Sequence, residues 1–198
     1  NGGQISSFKS HCGGLIAPES NNNPWQYKIS WNPRNIVTAG KAGAIYKEAG
    51  KEVNKNYNQI FANCSKLTIP HVGSLAYYPN RDSLSYIPLY ELETAETFIR
   101  TTLRYAPFCL GWEKIVQAQL TNDEEMVDTS ALSYSQFFQN HLNKNQVELN
   151  SPELVEQFHF LGLNDPTTIN KGTLSVAQIL QEKLEDKWKL QAGDKDLI

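Results

Sequence analysis

From Thr97 to Tyr105 apolar and polar residues alternate, and after Pro107 the spacing changes to that of amphipathic helices. A chain that switches period in this way combines a sheet with helices gathered toward its C-terminal side. The alternation puts Arg100, Thr102 and Arg104 on one strand face and Ile99, Thr101, Leu103 and Tyr105 on the other. One side reads as core, the other as a row of cations with a hydroxyl. Such a row has two readings. It is the solvated outer face of a sheet, or a surface that neutralises an anionic ligand.

Residues 4–11 alternate and read as a first strand, followed by a loop over Cys12-Gly13-Gly14-Leu15-Ile16-Ala17-Pro18-Glu19 whose glycines permit close backbone approach. Asn21-Asn22-Asn23-Pro24 is loop composition, and Tyr27 to Trp31 alternates as a second short strand. Pro33 after Asn32 marks a helix start. Gly40-Lys41-Ala42-Gly43 and Gly50-Lys51-Glu52 read as a helix and its turn. Lys66–Pro70 and Ser74–Tyr78 are two further strands. Helical spacing then covers 111–120, 133–142, 152–161 from the Ser151-Pro152 start, and 175–188. The expected fold class is α+β of α/β type: a mixed β-sheet covered by helices over residues 1–114, then an all-helical subdomain over 115–198.

Charge divides along the same line. Residues 1–114 carry 12 Lys and Arg against 8 Asp and Glu; residues 115–198 carry 6 against 13. A mildly basic first part suits an anionic small ligand but is too weak for nucleic acid, which calls for a strongly basic face. The acidic second part reads as solvated helix surface. A mean hydropathy of −0.47 and the shortness of the longest apolar run exclude a membrane-spanning helix. The polar start, Asn1 to Lys9, carries no secretory signal. Cys12, Cys64 and Cys109 fit no disulfide framework and lack the close ligand spacing of a zinc site, so they read as inert thiols in a reducing, cytoplasmic setting.

Two catalytic devices are missing. No G-x-G-x-x-G follows a strand and no phosphate loop closes on Ser or Thr; no G-x-S-x-G elbow accompanies the scattered histidines. What remains is Tyr78-Pro79-Asn80-Arg81-Asp82-Ser83. Arg81 either pairs with Asp82 or a helix end, or acts as a bidentate clamp for a carboxylate. With Arg104 and Thr102 on one strand face, the second reading gives two cations and a hydroxyl for a ligand bearing several carboxylates.

Four segments taken in order, Cys12-Gly13-Gly14-Leu15 with Ala17-Pro18-Glu19, Tyr27-Lys28 with Ser30-Trp31, Asn80-Arg81-Asp82-Ser83, and Thr102-Leu103-Arg104-Tyr105, resemble saccharopine dehydrogenase of the NADP-dependent, glutamate-forming type. The resemblance spans about residues 5–115, and the helical remainder matches more loosely. It implies a substrate-binding and dimerising domain followed by a helical insert, without the family's Rossmann domain, so that the isolated chain is inactive. It implies NADP-linked interconversion of saccharopine with 2-aminoadipate semialdehyde and glutamate. By the same resemblance Arg81, Thr102, Leu103 and Arg104 bind substrate, Trp31 packs beside the cofactor with Cys12 nearby, and the protein is a homodimer with a small-molecule substrate and neither nucleic-acid nor membrane partner. Ile16 and Thr101 depart from the proline and glycine usual in the family, which leaves open another opine-like amino dicarboxylate. A non-catalytic interaction or dimerisation module is the rival reading; the general acid or base is not identified.

Overall fold

The computed structural model describes residues 3–29 and 32–195. In chain order its elements are β1 (Ser7–Cys12), α1 (Arg34–Val37), β2 (Ala44–Glu48), β3 (Lys51–Lys55), α2 (Tyr57–Ile60), β4 (Ser65–Ile69), β5 (Gly73–Pro79), β6 (Arg81–Asp82), β7 (Thr97–Tyr105), α3 (Ala106–Gln117), β8 (Met126–Asp128), α4 (Tyr134–Lys144), α5 (Pro152–Leu161), β9 (Thr173–Ser175) and α6 (Val176–Lys187). The α+β expectation holds. Two compact units form: the segment up to Leu15 with Ala39–Cys109, and Ile16–Thr38 with the chain from Leu110 onward.

The first unit is a seven-stranded mixed sheet in the order β3-β2-β7-β5-β4, with β1 added to β7 and β6 to β2. β7 is its spine. β1 runs parallel along one edge, pairing Ser7 with Thr97 through Cys12 with Thr102. β5 runs antiparallel along the other edge, pairing Tyr78 with Thr102 and Ala76 with Arg104, and β2 meets the same edge at Phe98. Both faces of β7 are covered, since Phe98, Ile99, Thr101, Leu103 and Arg104 are all buried.

Gly40-Lys41-Ala42-Gly43 lies at the turn after α1, as expected, but Gly50-Lys51 closes a hairpin. β2 and β3 pair antiparallel around Ala49 and Gly50, both at positive φ, the left-handed pair that tight hairpins favour. Gly43 allows this entry: at φ +69, a Cβ would lie 2.6 Å from the Lys55 carbonyl oxygen.

The second unit is helical, with a small β8–β9 ladder. Its long helices begin where local chemistry puts them: Ser133, Ser151 and Ser175 each accept a backbone N–H in the first turn, and the Ser133 and Ser175 caps are completed by Gln136 and Gln178. The core gathers Trp25, Tyr27, Trp112 and Trp188 in edge and tilted contacts. Trp25 Nε1 donates to the Gln157 carbonyl oxygen, and Gln157 Nε2 to that of Pro24. These contacts explain why residues 16–38 fold with the helices, a division different from the boundary expected near residue 114. Of the strand expected over 27–31, Ile29 makes one bridge to Lys189; Ser30 and Trp31 lie outside the described residues.

Candidate functional site

Two segments that are distant in the sequence become neighbours in the sheet unit. Pairing of β1 with β7 delivers Gly13-Gly14, just past β1, onto Leu103-Arg104. A Cβ on Gly13 would overlap the Leu103 carbonyl oxygen and come within 3.0 Å of Arg104 Nη1, so only glycine passes here. Arg104 is 7% exposed. Its Nη1 donates to the Leu103 carbonyl oxygen at 2.8 Å and, more weakly, to that of Gly14 at 3.4 Å, and the guanidinium lies over the Phe108 ring. Of the two readings of this row, the solvated face is not what forms at its end: Arg104 is an inner cation that fastens the glycine loop, Leu103 is buried beside it, and Thr102, paired with Cys12, is half-buried. Arg100 stacks on Tyr86, 3.7 Å from the ring centre.

On the other edge of β7, the Asn80-Arg81-Asp82-Ser83 segment is fixed through its backbone. Asn80 N–H donates to the Arg100 carbonyl oxygen, Ser83 N–H to that of Ile45, and the fully buried Ser83 Oγ accepts from Arg100 N–H. Asp82 does not pair with Arg81. Its Oδ1 accepts from the Leu84 and Ser85 N–H groups and caps the 3-10 turn that follows. Arg81 is exposed, sits at φ +52, and makes no ion pair or side-chain hydrogen bond with any described residue. A non-glycine residue in this region carries strain, here imposed by the β2 and Ser83 bonds on either side. The structure therefore brings Thr102, Leu103 and Arg104 together with the glycine loop, and sets Arg81 three residues beyond Tyr78, the partner of Thr102. Trp31, the expected cofactor contact, falls outside the described residues.

One polar pair escaped the sequence reading. His11 Nδ1 lies 2.7 Å from Thr101 Oγ1, whose hydroxyl donates to the Ser10 carbonyl oxygen, so Nδ1–H is the donor and Nε2 is left as an acceptor. Burial first, and then Lys9, hold the His11 pKa below the usual histidine value. Thr101 is 2% exposed, and its hydroxyl is what receives His11. Alternation alone places both side chains on one face but says nothing of their bond. Of the three cysteines, only Cys109 is buried; Cys12 is exposed and Cys64 is intermediate.

Over residues 1–198 the chain matches the family described as the saccharopine dehydrogenase C-terminal domain. It belongs to that family. It is 29% identical over 216 residues to the saccharopine dehydrogenase [NADP(+), L-glutamate-forming] of Pyricularia oryzae, covering all of this chain and 48% of that protein. Identity rises to 43% over 107 residues with the Schizosaccharomyces pombe protein of the same name, covering 54% of this chain and 24% of the relative. The solved apo saccharopine dehydrogenase (L-Glu forming) of Saccharomyces cerevisiae superposes with a TM-score of 0.83 at 25% identity, over 98% of this chain and 47% of that one. The chain thus spans about half or less of the length of these saccharopine dehydrogenases.

Proposed function

We propose that this chain is the substrate-binding and dimerisation portion of an NADP-linked saccharopine dehydrogenase acting between saccharopine and 2-aminoadipate semialdehyde plus glutamate. The observation that carries the reading is Arg81: an exposed guanidinium, on backbone held at Asn80 and Ser83, with no protein carboxylate of its own among the described residues. A planar fork of this kind suits a substrate carboxylate. Thr102 supplies a directional hydroxyl on β7, while Leu103 and Arg104 hold the glycine loop and lend a buried positive charge to that end of β7. Arg104 is in this sense a positioning residue.

The cofactor's nicotinamide would supply the hydride chemistry. Gly13 does not fit a phosphate cradle, because the space beside it is filled by the Leu103 carbonyl oxygen, and no step of hydride transfer is assigned to the described residues. Trp31 is the proposed contact with NADP. A homodimer is supported by the apolar group of Ile5, Leu89 and Tyr90, all exposed, with Tyr90 packed on Phe8 of the edge strand β1. Three free cysteines suit a cytoplasmic enzyme, and no described helix is long and apolar enough to cross a membrane.

Saccharopine turnover with NADP by the protein containing this chain tests the reading. Arg81→Ala is expected to lower kcat/KM by roughly 30- to 1000-fold, about 2 to 4 kcal/mol, with the unfolding midpoint unchanged. Turnover unaffected by Arg81→Ala removes Arg81 from the site; absence of turnover in the unsubstituted protein overturns the substrate.

A further inference from the structure

A cavity of about 70 Å3 in the sheet unit is lined by Lys9 of β1, Tyr46 and Glu48 of β2, Lys55 of β3, Asn63 from the turn before β4, and Tyr77 of β5. Strand geometry explains the gathering: Tyr46 and Glu48 share a face of β2, and Lys55, registered opposite Ala44, shares it too. Lys9 lies beside Ile99 on β7, and Ile60 and Ile99 back the cavity with core.

The polar groups here have not been satisfied by the protein. Tyr46 is only 6% exposed, yet its hydroxyl makes no hydrogen bond to a described residue. Neither Lys9 nor Lys55 forms an ion pair with a described carboxylate, Glu48 included, and the Tyr77 hydroxyl has no described partner. Burial above all, then Glu48 and Tyr77, push the Tyr46 pKa upward, so its hydroxyl is a proton donor at neutral pH. The Tyr46 ring is buried while its hydroxyl reaches the cavity, which has room for several waters or one small ion. Two ammoniums against one carboxylate leave a single positive charge facing that room.

We propose that this cavity binds a small monovalent oxyanion with carboxylate-type geometry, held by the ammoniums of Lys9 and Lys55 and the hydroxyls of Tyr46 and Tyr77. Formate and bicarbonate share this chemistry; a substrate with several carboxylates is too large. The proposal does not depend on the reaction assigned above.

Calorimetric titration of the protein containing this chain, at constant ionic strength held with sodium chloride, compares sodium formate, bicarbonate and sulfate. Saturable binding of formate, bicarbonate or both is expected, and which of them binds identifies the source. Lys55→Met and Tyr46→Phe are each expected to weaken it tenfold or more, whereas exposed Lys189→Met leaves it unchanged. Tyr46→Phe retains the ring, and an unfolding midpoint no lower than that of the unsubstituted protein separates lost binding from lost folding. Heats that do not saturate, sulfate bound as tightly as formate, or equal affinity in Tyr46→Phe overturn the proposal.

Discussion

In the helical unit α4, α5 and α6 each start on a serine that accepts a backbone N–H, and the buried cations Lys28 and Lys183 are each matched by an aspartate, Asp194 and Asp165, at 2.8 Å. In the sheet unit Arg81, Lys9 and Lys55 have no carboxylate within reach among the described residues, and the Tyr46 hydroxyl has no acceptor. The helical unit pairs its buried ammoniums internally, whereas the sheet unit carries cations that no described carboxylate meets. The contrast is one of cation pairing, and under the proposed function it places ligand contacts on the sheet.

Substitutions in the two units should therefore separate unfolding from binding. Trp188→Ala removes a fully buried indole packed on Trp25, Tyr27 and Trp112. It is expected to cost about 3 to 5 kcal/mol, read by urea unfolding, with KM for saccharopine unchanged in the fraction that remains folded. A changed KM would break the division of labour. Gly13→Ala drives a methyl into the Leu103 carbonyl oxygen; a loss of about 1 to 3 kcal/mol is expected, accompanied by a rise in KM that Trp188→Ala does not produce. Ser175→Ala deletes the α6 cap and is expected to lower stability by about 0.5 to 2 kcal/mol, leaving steady-state kinetics as they were.

The smallest expected effect is a pH dependence in the helical unit. His141 is buried, and desolvation outweighs the opposing pull of Glu125 to hold its pKa below 6.5. The unfolded chain therefore binds the extra proton first as pH falls. Stability from this residue is full above about pH 6.5 and declines as pH drops through the interval beneath it. Unfolding midpoints from pH 7.5 to 5 should show the decline flattened in His141→Gln; His11, also lowered by burial, gives the same sign in the sheet unit. Equal slopes with and without His141 would remove it as the source.

The difference between the units also governs what could be read in advance. Helix starts at Ser133, Ser151 and Ser175 are written within four residues of themselves, so the sequence places them well. The β2–β3 hairpin was hidden because Ala44-Ile45-Tyr46-Lys47-Glu48 and Lys51-Glu52-Val53-Asn54-Lys55 mix strand and helix formers, and β7 and the Gly43 approach decide between them. For β7, alternation correctly sorted side chains between faces, but what covers a face is not local. Arg104 is buried because a loop 90 positions away closes on it, and Arg100 is shielded by Tyr86 from the 3-10 turn. Arg81 was legible as a candidate; the diversion of Asp82 to capping, which frees it, was not.

The pairing of β1 with β7 has a temporal side. His11 and Thr101 are 90 residues apart, and a ribosome adding about 5 to 20 residues per second takes on the order of 5 to 18 seconds to span that gap. Throughout that interval the newborn β1, with Phe8 exposed for want of Phe98, has no strand to lie against. The glycine loop likewise has nothing to close upon until Leu103 and Arg104 emerge. β1 therefore waits for β7 while the hairpin and β4–β5 ladder between them can already form, and it has the longest delay of the strands in this sheet.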